Sequence, residues 1–341
     1  MNMKMKKLIK GRALYAEENR IWVAQGMTFF AVDYNGKRLT RKYSVGNELE
    51  NLIGLNRLTR QLFRQGLHHL VPLANGDMFV TAKKISYIVS QDGTVKYTFK
   101  GYLGNKPGHQ GVCITPNGTI FFGEYSLNTN RNHDTHLYRS TDNGKSFQIV
   151  LTLKKNEVRH IHFIKYDPFE KCIWLGTGDE DFENILMRSF DNGVTWEKVG
   201  SGSQDWRAIG ICFNKDELIW GTDAGSVPNQ NHIIRMDRKT QKIEVIHDAE
   251  GPCHGCGSFK DGRVFISTGV EGGENEKDHN ARLKQVNGGS VITILEKKKD
   301  LLPFILQYGV IRFPLGTDNT NKVVYTMYGL KGNGEQVYVE D

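Results

Sequence analysis

Short apolar segments with an aromatic residue near the middle recur along the chain. Aligned on their third residue, seven of them are separated by 57, 42, 53, 46, 45 and 59 residues. Most follow a turn containing Gly, Asn or Asp, and another short apolar stretch precedes that turn. Short apolar runs bounded by turn residues are typical of buried β-strands. The seven aligned positions are Trp22, Phe79, Phe121, Trp174, Trp220, Phe265 and Val324.

The length of the repeat predicts the fold class. Repeats of about 40 to 50 residues with four strands each are typical of propeller blades. The upstream stretch supplies the first strand of each repeat, the aligned segment the second, and a downstream hairpin the third and fourth. The last repeat lacks a fourth strand, and residues 5–10 can supply it, which closes the ring and removes exposed sheet edges. We therefore predict an all-β chain that forms one seven-bladed β-propeller domain over residues 1–341, with six or eight blades as the alternatives.

One segment breaks the strand pattern. Residues 47–66 place leucines at helical spacing, a glycine at the expected end and arginines on another face. We predict a helix inserted between the first two blades. Its arginines are either a solvated face or a basic wall beside the mouth of the ring. The leucines are Leu52, Leu55, Leu58 and Leu62, and the arginines are Arg57, Arg60 and Arg64.

Composition and charge narrow the function only a little. The chain of 341 residues is 38% hydrophobic and contains 37 glycines, which suits a turn-rich β protein and not a disordered one. A net charge of +7 favours acidic ligands in general, but no nucleic-acid motif is present. The N-terminus has no apolar run of secretory-signal type, and no stretch is long enough to span a membrane. We expect a soluble, cytoplasmic protein.

The five cysteines are read mainly as buried reduced thiols. Their number is odd, and most lie in strand-like contexts. The exception is the pair Cys253 and Cys256, which is spaced as Cys-x-x-Cys. Without a second such pair, that spacing is only weak evidence for zinc.

An eight-residue pattern occurs twice at blade-like spacing. Residues 140–147 and 189–196 both read S-x-D-x-G-x-[ST]-[FW], and their starts are 49 residues apart. Asn and Gly accept positive φ, and the Asp carboxylate can accept hydrogen bonds from nearby backbone N–H groups, so each copy predicts a hairpin turn. The aromatic residue that follows can pack beneath the neighbouring hairpin. At these residues the chain resembles the Asp-box (BNR) repeat of sialidase-like β-propellers, a resemblance that implies a structural role on the outer hairpin of a blade.

Polar side chains gather at one edge of the repeats. In a propeller, first strands begin and second strands end on the same face around the central channel, and loops on such a scaffold carry function. Titratable and aromatic side chains recur at both positions, so we predict a ligand site there. The catalytic candidates are Glu124, Tyr125, Asp179, Asp223, Glu271, His109 and Tyr308. The substrate-binding candidates are His69, Gln110, Arg159, His160, Trp206, Arg207, His254 and Arg64.

The first hypothesis is a carbohydrate-active protein that cleaves a glycosidic bond in an acidic glycan. A hydrolase needs a protonated carboxyl group and a second carboxylate about 5 to 10 Å away. The available carboxylates are Glu124, Asp179, Asp223 and Glu271. The sialidase resemblance implies an arginine triad, matched by Arg159, Arg207 and Arg312, and a Tyr–Glu pair, matched by Tyr125 and Glu124. Because the early Arg-Ile-Pro signature is missing and seven repeats are counted, sialidase activity itself is not expected.

A polysaccharide lyase is an equal alternative within the first hypothesis. There a His or Tyr removes the proton beside a uronate carboxylate, whose charge is neutralised by an Arg or a metal. The same histidines can bind a divalent ion such as Mn, Ca or Zn, and imidazole suits Mn or Zn. The candidate metal ligands are His69, His109, His160 and His254.

The second hypothesis is a non-catalytic module. On this hypothesis the face around the central channel binds a glycan or a protein partner without catalysing a reaction. Two carboxylates alone at the mouth would select a hydrolase, and a His–Tyr–Arg group would select a lyase.

Overall fold

The computed structural model describes residues 3–224, 230–274 and 276–341. Within these ranges the chain is built of antiparallel strands, with one short helical insertion and three 3-10 turns. The all-β prediction is therefore confirmed. No helix in the described part of the chain is long and apolar enough to cross a membrane.

The strands form seven four-stranded groups in the described ranges. Each of the first five groups is a separate sheet, with its strands paired in chain order. Their strands are β2 (Arg12–Ala16), β3 (Ile21–Gln25), β4 (Thr28–Val32) and β5 (Tyr43–Ser44); β6 (His69–Pro72), β7 (Met78–Ala82), β8 (Ile85–Val89) and β9 (Val95–Phe99); β10 (Val112–Ile114), β11 (Ile120–Gly123), β12 (Thr135–Ser140) and β13 (Gln148–Leu153); β14 (His160–Asp167), β15 (Cys172–Gly178), β16 (Ile185–Ser189) and β17 (Glu197–Ser201); and β18 (Cys212–Phe213), β19 (Glu217–Gly221), β20 (His232–Asp237) and β21 (Ile243–Asp248).

The sixth and seventh four-stranded groups are joined into one eight-stranded sheet. Their strands are β22 (Cys253–Ser258), β23 (Val264–Val270), β24 (Asn280–Asn287), β25 (Ser290–Lys298), β26 (Gly309–Arg312), β27 (Val324–Leu330), β28 (Asn333–Glu340) and β1 (Met5–Lys10). These two four-stranded groups are linked by a short pairing of β23 with β26, at Gly269–Val310 and Val270–Gly309. The fourth strand of the last group comes from the other end of the chain, because β1 pairs antiparallel with β28 from Met5–Glu340 to Lys10–Gln336.

The seven aligned segments of the sequence are the second strands of the seven groups. Most of these strands are buried at every residue, and the aligned residues Trp174, Trp220 and Phe265 are fully buried. Burying a large apolar side chain stabilises the fold by about 1.5 to 3 kcal/mol. The recurrence of this aromatic position therefore reflects the core of each group.

The internal contacts of the chain also divide it into two larger compact parts. These parts are distinct from the seven four-stranded groups and are called unit one and unit two. Unit one comprises Met1–Leu67, Gly225–Ile233 and Val245–Asp341, and unit two comprises His68–Ala224 and Ile234–Glu244. Each has its own core: aromatic and aliphatic residues around Phe265 and Phe313 in unit one, and clusters around Trp174 and Phe121 in unit two. The prediction of a single domain stays a prediction.

Two short helices occupy the segment predicted to be helical. Helix α1 (Glu48–Leu55) begins with a capping box in which Asn47 and Glu50 exchange side-chain and backbone hydrogen bonds, and α2 (Arg57–Leu62) follows directly. The leucines at helical spacing are largely exposed. Arg60 is buried instead, donates to the Gly54 carbonyl at 2.8 Å and is ion-paired with Glu335.

The burial of Arg60 corrects the reading of the helical arginines as one uniform face. Arg64 is exposed at the end of α2, whereas Arg57 is ion-paired with Asp300 at 2.7 Å. The insertion is therefore fixed within unit one by the buried Arg60–Glu335 pair and the partly exposed Arg57–Asp300 pair. Glu335 also lies 3.4 Å from the guanidinium of Arg12.

Replacing Arg60 with Met tests the role of the buried ion pair. We expect Arg60→Met to lower the free energy of unfolding by about 3 kcal/mol, the lower end for losing one partner of a buried pair, because Arg12 still contacts Glu335. The matched control is Arg64→Met at the exposed site, which should change stability by less than about 0.5 kcal/mol. Urea unfolding of both variants measures the difference, and equal losses would contradict this role of Arg60.

The two repeated eight-residue patterns form matching turns. In each, the serine hydroxyl accepts the N–H of the turn glycine at 2.9 Å, and the Asp accepts the backbone N–H and the hydroxyl of the Ser or Thr four residues on. Asn143 and Asn192 adopt positive φ, as do the glycines that follow them. The prediction of a hairpin turn from Asp-Asn-Gly is therefore confirmed.

Each of these turns packs against the preceding blade-like sheet. The Phe147 ring lies 6.0 Å from Phe79 and 5.0 Å from Phe99, both in that sheet. In the second copy, a Cβ on Gly193 would lie 2.8 Å from the Phe121 ring. These contacts connect neighbouring sheets within unit two, which is a structural role.

The low pKa values of the two turn carboxylates, Asp142 and Asp191, predict that the fold loses stability in acid. Hydrogen bonds from Thr195 lower the pKa of Asp191 to about 2; burial opposes the shift at Asp142, but hydrogen bonds from Ser146 and Ser140 still lower its pKa to about 2. Since the folded-state pKa lies below the unfolded one, this stabilisation is complete above about pH 4 and is lost as the pH falls through 2.

The double variant Asp142→Asn/Asp191→Asn removes this pH-dependent term. We expect the variant to be less stable than the unmodified protein at pH 6, and the gap to shrink steadily between pH 4 and pH 2. Urea unfolding across that pH range measures the gap. A gap that stays constant to pH 2 would show that the two carboxylates do not contribute in this way.

Candidate functional site

The polar residues of the fourth sheet converge where β14 begins and β15 ends. Within β14, the rings of His160 and His162 meet with their Nε2 atoms 2.9 Å apart, at a bulge in the pairing with β15, and His160 pairs with Gly178 at the end of β15. Gly178 leaves room for the His162 ring, since a Cβ there would lie 2.7 Å from His162 Cε1. Asp179 follows directly and meets both imidazoles.

Asp179 is the centre of this group. Its Oδ1 lies 3.1 Å from His162 Nε2, 3.4 Å from His160 Nε2 and 2.9 Å from Arg207 Nη2, and its Oδ2 accepts a hydrogen bond from Arg159. Burial by itself would raise the pKa of Asp179, but its contacts with His160 and His162 outweigh burial and hold that pKa well below its ordinary value. Asp179 is therefore a fixed negative charge and unsuited to act as a general acid.

Backbone carbonyls fix the orientation of both imidazoles. His160 Nδ1 lies 3.0 Å from the Ser126 carbonyl, and His162 Nδ1 lies 3.2 Å from the Ala208 carbonyl. A carbonyl oxygen only accepts, so both Nδ1 atoms carry the proton and both Nε2 atoms face Asp179. Burial lowers the pKa of His162 to about 4, which makes its imidazole neutral near pH 7.

Tyr125 provides the accessible aromatic surface of the group. Its ring stacks on His160 with centroids 4.0 Å apart and planes 25° apart, while 37% of the residue is exposed. Arg159 and Arg207 also retain partly exposed side chains, and the Nε atoms of both are buried without a hydrogen-bond partner in the protein. Unpaired buried donors of this kind favour an anionic ligand.

We call the six residues that meet in unit two the Asp179 cluster. Its members are Tyr125, Arg159, His160, His162, Asp179 and Arg207. Asp223 lies at its margin, with Oδ2 3.7 Å from Arg207 Nη2. Five of the six are among the catalytic and substrate-binding candidates named from the sequence, and His162 is one of the histidines that the sequence places beside them at the strand start.

Glu183, which sequence reasoning missed, holds the backbone of the cluster in place. Its fully buried carboxylate accepts the backbone N–H groups of Asp179 and Arg159 at 2.6 Å each, and that of Glu180 at 2.9 Å. Arg131 is ion-paired with it. Burial opposes ionisation, but the hydrogen bond from Arg131, followed by those from the backbone of Asp179 and Glu180, still lowers the pKa of Glu183. Its place in an acidic loop gave no sequence signal.

Glu124 is engaged inside its own sheet. Its carboxylate accepts the N–H groups of Leu103 and His136 and the hydroxyl of Tyr138, and it lies 3.0 Å from His136 Nδ1. It is almost fully buried. These contacts make Glu124 a structural carboxylate in this geometry, so its catalytic assignment gains no support from them.

Four other candidates in unit two have local contacts of their own. Both ring nitrogens of His69 already have partners, Thr81 Oγ1 and the Gly108 carbonyl, each at 2.8 Å, which argues against its predicted metal role. His109 contributes its backbone carbonyl 3.2 Å from His69 Nε2, and Gln110 bridges Phe163 through its backbone. Trp206 stacks on Trp220 at 6.0 Å.

The remaining candidates lie in unit one. His254 Nε2 is 2.9 Å from Glu271 Oε1, and the Tyr308 ring is 6.3 Å from the His254 ring. Arg64 lies at the end of α2 in the same unit. Cys253 and Cys256 lie on β22, and all five cysteines are buried thiols, as expected.

Solved structures of low sequence identity share the fold. The WD40 domain of Pan2 from Neurospora crassa matches with a TM-score of 0.57 and 10% identity, over 100% of this chain and 96% of that chain. The WD40 repeats of RRP9 match with a TM-score of 0.58 and 10% identity, over 100% and 98%. The chain has a β-propeller fold. The predicted fold class, with about seven blades, is thus confirmed.

An enzyme also appears among the structural matches of this propeller. The GH74 enzyme of Niastella koreensis matches with a TM-score of 0.55 and 14% identity, over 97% of this chain and 53% of that chain. At such identities the likeness concerns the fold alone. No family model and no curated protein matches the sequence.

The support given by Glu183 can be tested through stability. We expect Glu183→Gln to lower the free energy of unfolding by about 3 kcal/mol or more, because a neutral amide leaves Arg131 without its buried ionic partner. Glu180→Gln, at an exposed carboxylate 3.9 Å from the same guanidinium, is the control and should cost less than about 0.5 kcal/mol. Chemical unfolding measures both, and similar stabilities for the two variants would refute the support role.

Proposed function

We propose that the Asp179 cluster of this propeller binds an acidic sugar and catalyses β-elimination beside its carboxylate, as a polysaccharide lyase does. The observation that carries the proposal is the convergence of Tyr125, two histidines and two guanidiniums on one rim of unit two. The competing hydrolase requires a carboxyl group that is protonated near neutral pH. Asp179 is held ionised, and Glu124 is occupied by donors of its own sheet.

The proposed chemistry divides between charge neutralisation and proton transfer. The guanidiniums of Arg159 and Arg207 pair with the uronate carboxylate and so stabilise the negative charge that develops when the neighbouring C–H bond breaks. Tyr125, the exposed aromatic member, accepts that proton on its oxygen as the phenolate and then donates it to the departing glycosidic oxygen. The electron pair of the C–H bond forms the new C=C bond, and the glycosidic oxygen at the β-carbon leaves with its bonding electrons and takes up a proton.

Asp179 and the imidazoles have a positioning role in this scheme. Asp179 holds both guanidiniums, since Arg207 also donates to its backbone carbonyl at 3.1 Å. His160 provides the flat surface on which the Tyr125 ring stacks. The fixed arrangement reduces the reorganisation needed when charge develops in the transition state.

The decisive experiment compares Tyr125→Phe with the unmodified protein on oligouronides. Elimination creates a C=C bond conjugated to a carboxylate, which is followed by ultraviolet absorbance. We expect Tyr125→Phe to lower turnover by about 10²- to 10⁴-fold, the usual share of a general acid or base, with the dissociation constant for the oligouronide nearly unchanged. Tyr97→Phe, at an exposed tyrosine on β9 of the same unit, is the control and should retain full turnover.

Other outcomes choose between the remaining hypotheses. Binding of the oligouronide without cleavage by the unmodified protein would favour the non-catalytic module over the enzyme. Cleavage that gives a saturated sugar at the new non-reducing end, with no rise in ultraviolet absorbance, would favour the hydrolase. A protein that neither binds nor cleaves any of several uronate polymers would overturn the proposal of an acidic glycan as ligand.

A further inference from the structure

Three acceptor atoms face one another inside the Asp179 cluster. His160 Nε2 and His162 Nε2 are 2.9 Å apart, and Asp179 Oδ1 lies 3.4 Å and 3.1 Å from them. The backbone carbonyls already engage both Nδ1–H groups, so in the neutral imidazoles the two Nε2 atoms carry lone pairs. Two lone pairs and a carboxylate oxygen at these distances repel one another unless a positive charge lies among them.

We infer that His160 Nε2, His162 Nε2 and Asp179 Oδ1 bind one divalent transition-metal ion. This inference goes beyond the proposed function, because it depends on the donor atoms and not on any substrate. With metal–ligand bonds of about 2.1 Å, neighbouring ligands in tetrahedral or octahedral sites are about 3.0 to 3.4 Å apart. The three observed distances span nearly that range before any adjustment of the side chains.

The surroundings of the three donors resemble the outer shell of a metal site. A metal-bound histidine usually donates its other N–H to a carbonyl or carboxylate, and both histidines do so here. A ligating carboxylate is usually hydrogen-bonded as well, and Arg207 and Arg159 supply those bonds to Asp179. The guanidiniums weaken the attraction for a cation, but they also orient the carboxylate.

The donor set selects the class of ion. Two imidazoles and one carboxylate suit Zn²⁺, Mn²⁺ or Fe²⁺, whereas Ca²⁺ and Mg²⁺ prefer sites made of oxygen atoms. Three protein ligands leave at least one coordination position for water or a ligand oxygen. An ion here would also help to neutralise a bound uronate carboxylate.

Direct metal titration of the full-length protein tests the inference. The protein is dialysed against EDTA and then buffer, and is titrated with Zn²⁺ and separately with Co²⁺, whose visible absorption reports imidazole coordination. We expect one equivalent of Zn²⁺ to bind and to raise Tm, since an ion that binds only the folded state stabilises it. His160→Gln and His162→Gln should each weaken binding at least about 100-fold.

Two further variants separate metal binding from loss of folding. His133→Gln, at an exposed histidine in the same unit, should bind the ion as the unmodified protein does. Gly178→Ala keeps all three ligands but crowds the His162 ring, and it should weaken binding about 10-fold or more while the far-ultraviolet circular dichroism stays unchanged. Folded histidine variants that still bind one equivalent with unchanged affinity would overturn the inference.

The same experiment distinguishes an ion from a shared proton. If one imidazole is simply protonated and donates to the other, the unmodified protein will bind no Zn²⁺ or Co²⁺ at this site, which also overturns the inference. Because no sugar is present, metal binding can succeed when the elimination assay fails. Metal binding and β-elimination are therefore tested independently of each other.

Discussion

A strand that is apolar on both faces has to be covered on both faces, and this requirement governs the whole chain. The second strand of nearly every group is buried throughout, so it cannot lie at the edge of a sheet or on a solvated surface. Each such strand is flanked in its own sheet by a first and a third strand. Within unit two, the contacts of the Phe147 ring with Phe79 and Phe99 show a side chain of one sheet covering residues of the adjoining sheet.

This constraint also determines where chemistry can occur. Aromatic and aliphatic side chains occupy most buried positions of the strands. Titratable groups therefore lie largely at strand ends and in connecting segments. The Asp179 cluster illustrates the consequence, because its members come from the start of β14, the residues beyond β15 and loops on either side. The buried carboxylate of Glu183 binds the backbone at this strand end, and backbone carbonyls orient both histidines.

Positive charge at the cluster is balanced locally and does not reflect the charge of the whole chain. Asp179 binds two guanidiniums and meets two imidazoles, and Glu183 receives Arg131 immediately beneath. The partial exposure of Arg159 and of Tyr125 leaves this arrangement open to a ligand. Similarity of fold to WD40 domains and to a GH74 enzyme cannot choose among ligands, because a propeller scaffold carries many functions.

The sequence by itself determined the repeat, the strand order within each repeat and the two Asp-Asn-Gly turns. These features follow from local rules: aromatic residues at a regular interval, glycine and asparagine where positive φ is needed, and apolar runs bounded by turns. Met5–Lys10 was recognisable as a spare strand because the last repeat lacked one. Five members of the Asp179 cluster were found because strand starts and strand ends could be aligned between repeats.

Only the tertiary structure decided how the polar residues are partnered. Glu124 and His69 look like Asp179 and His160 in sequence, yet they are engaged by donors and acceptors of their own or an adjacent sheet. Helical spacing gave the position of the insertion but not its orientation: Arg60 is buried because Glu335, 275 residues away in sequence, neutralises it, and the leucines are exposed. Side-chain partners of this kind depend on distances between residues remote in sequence, which no local pattern encodes.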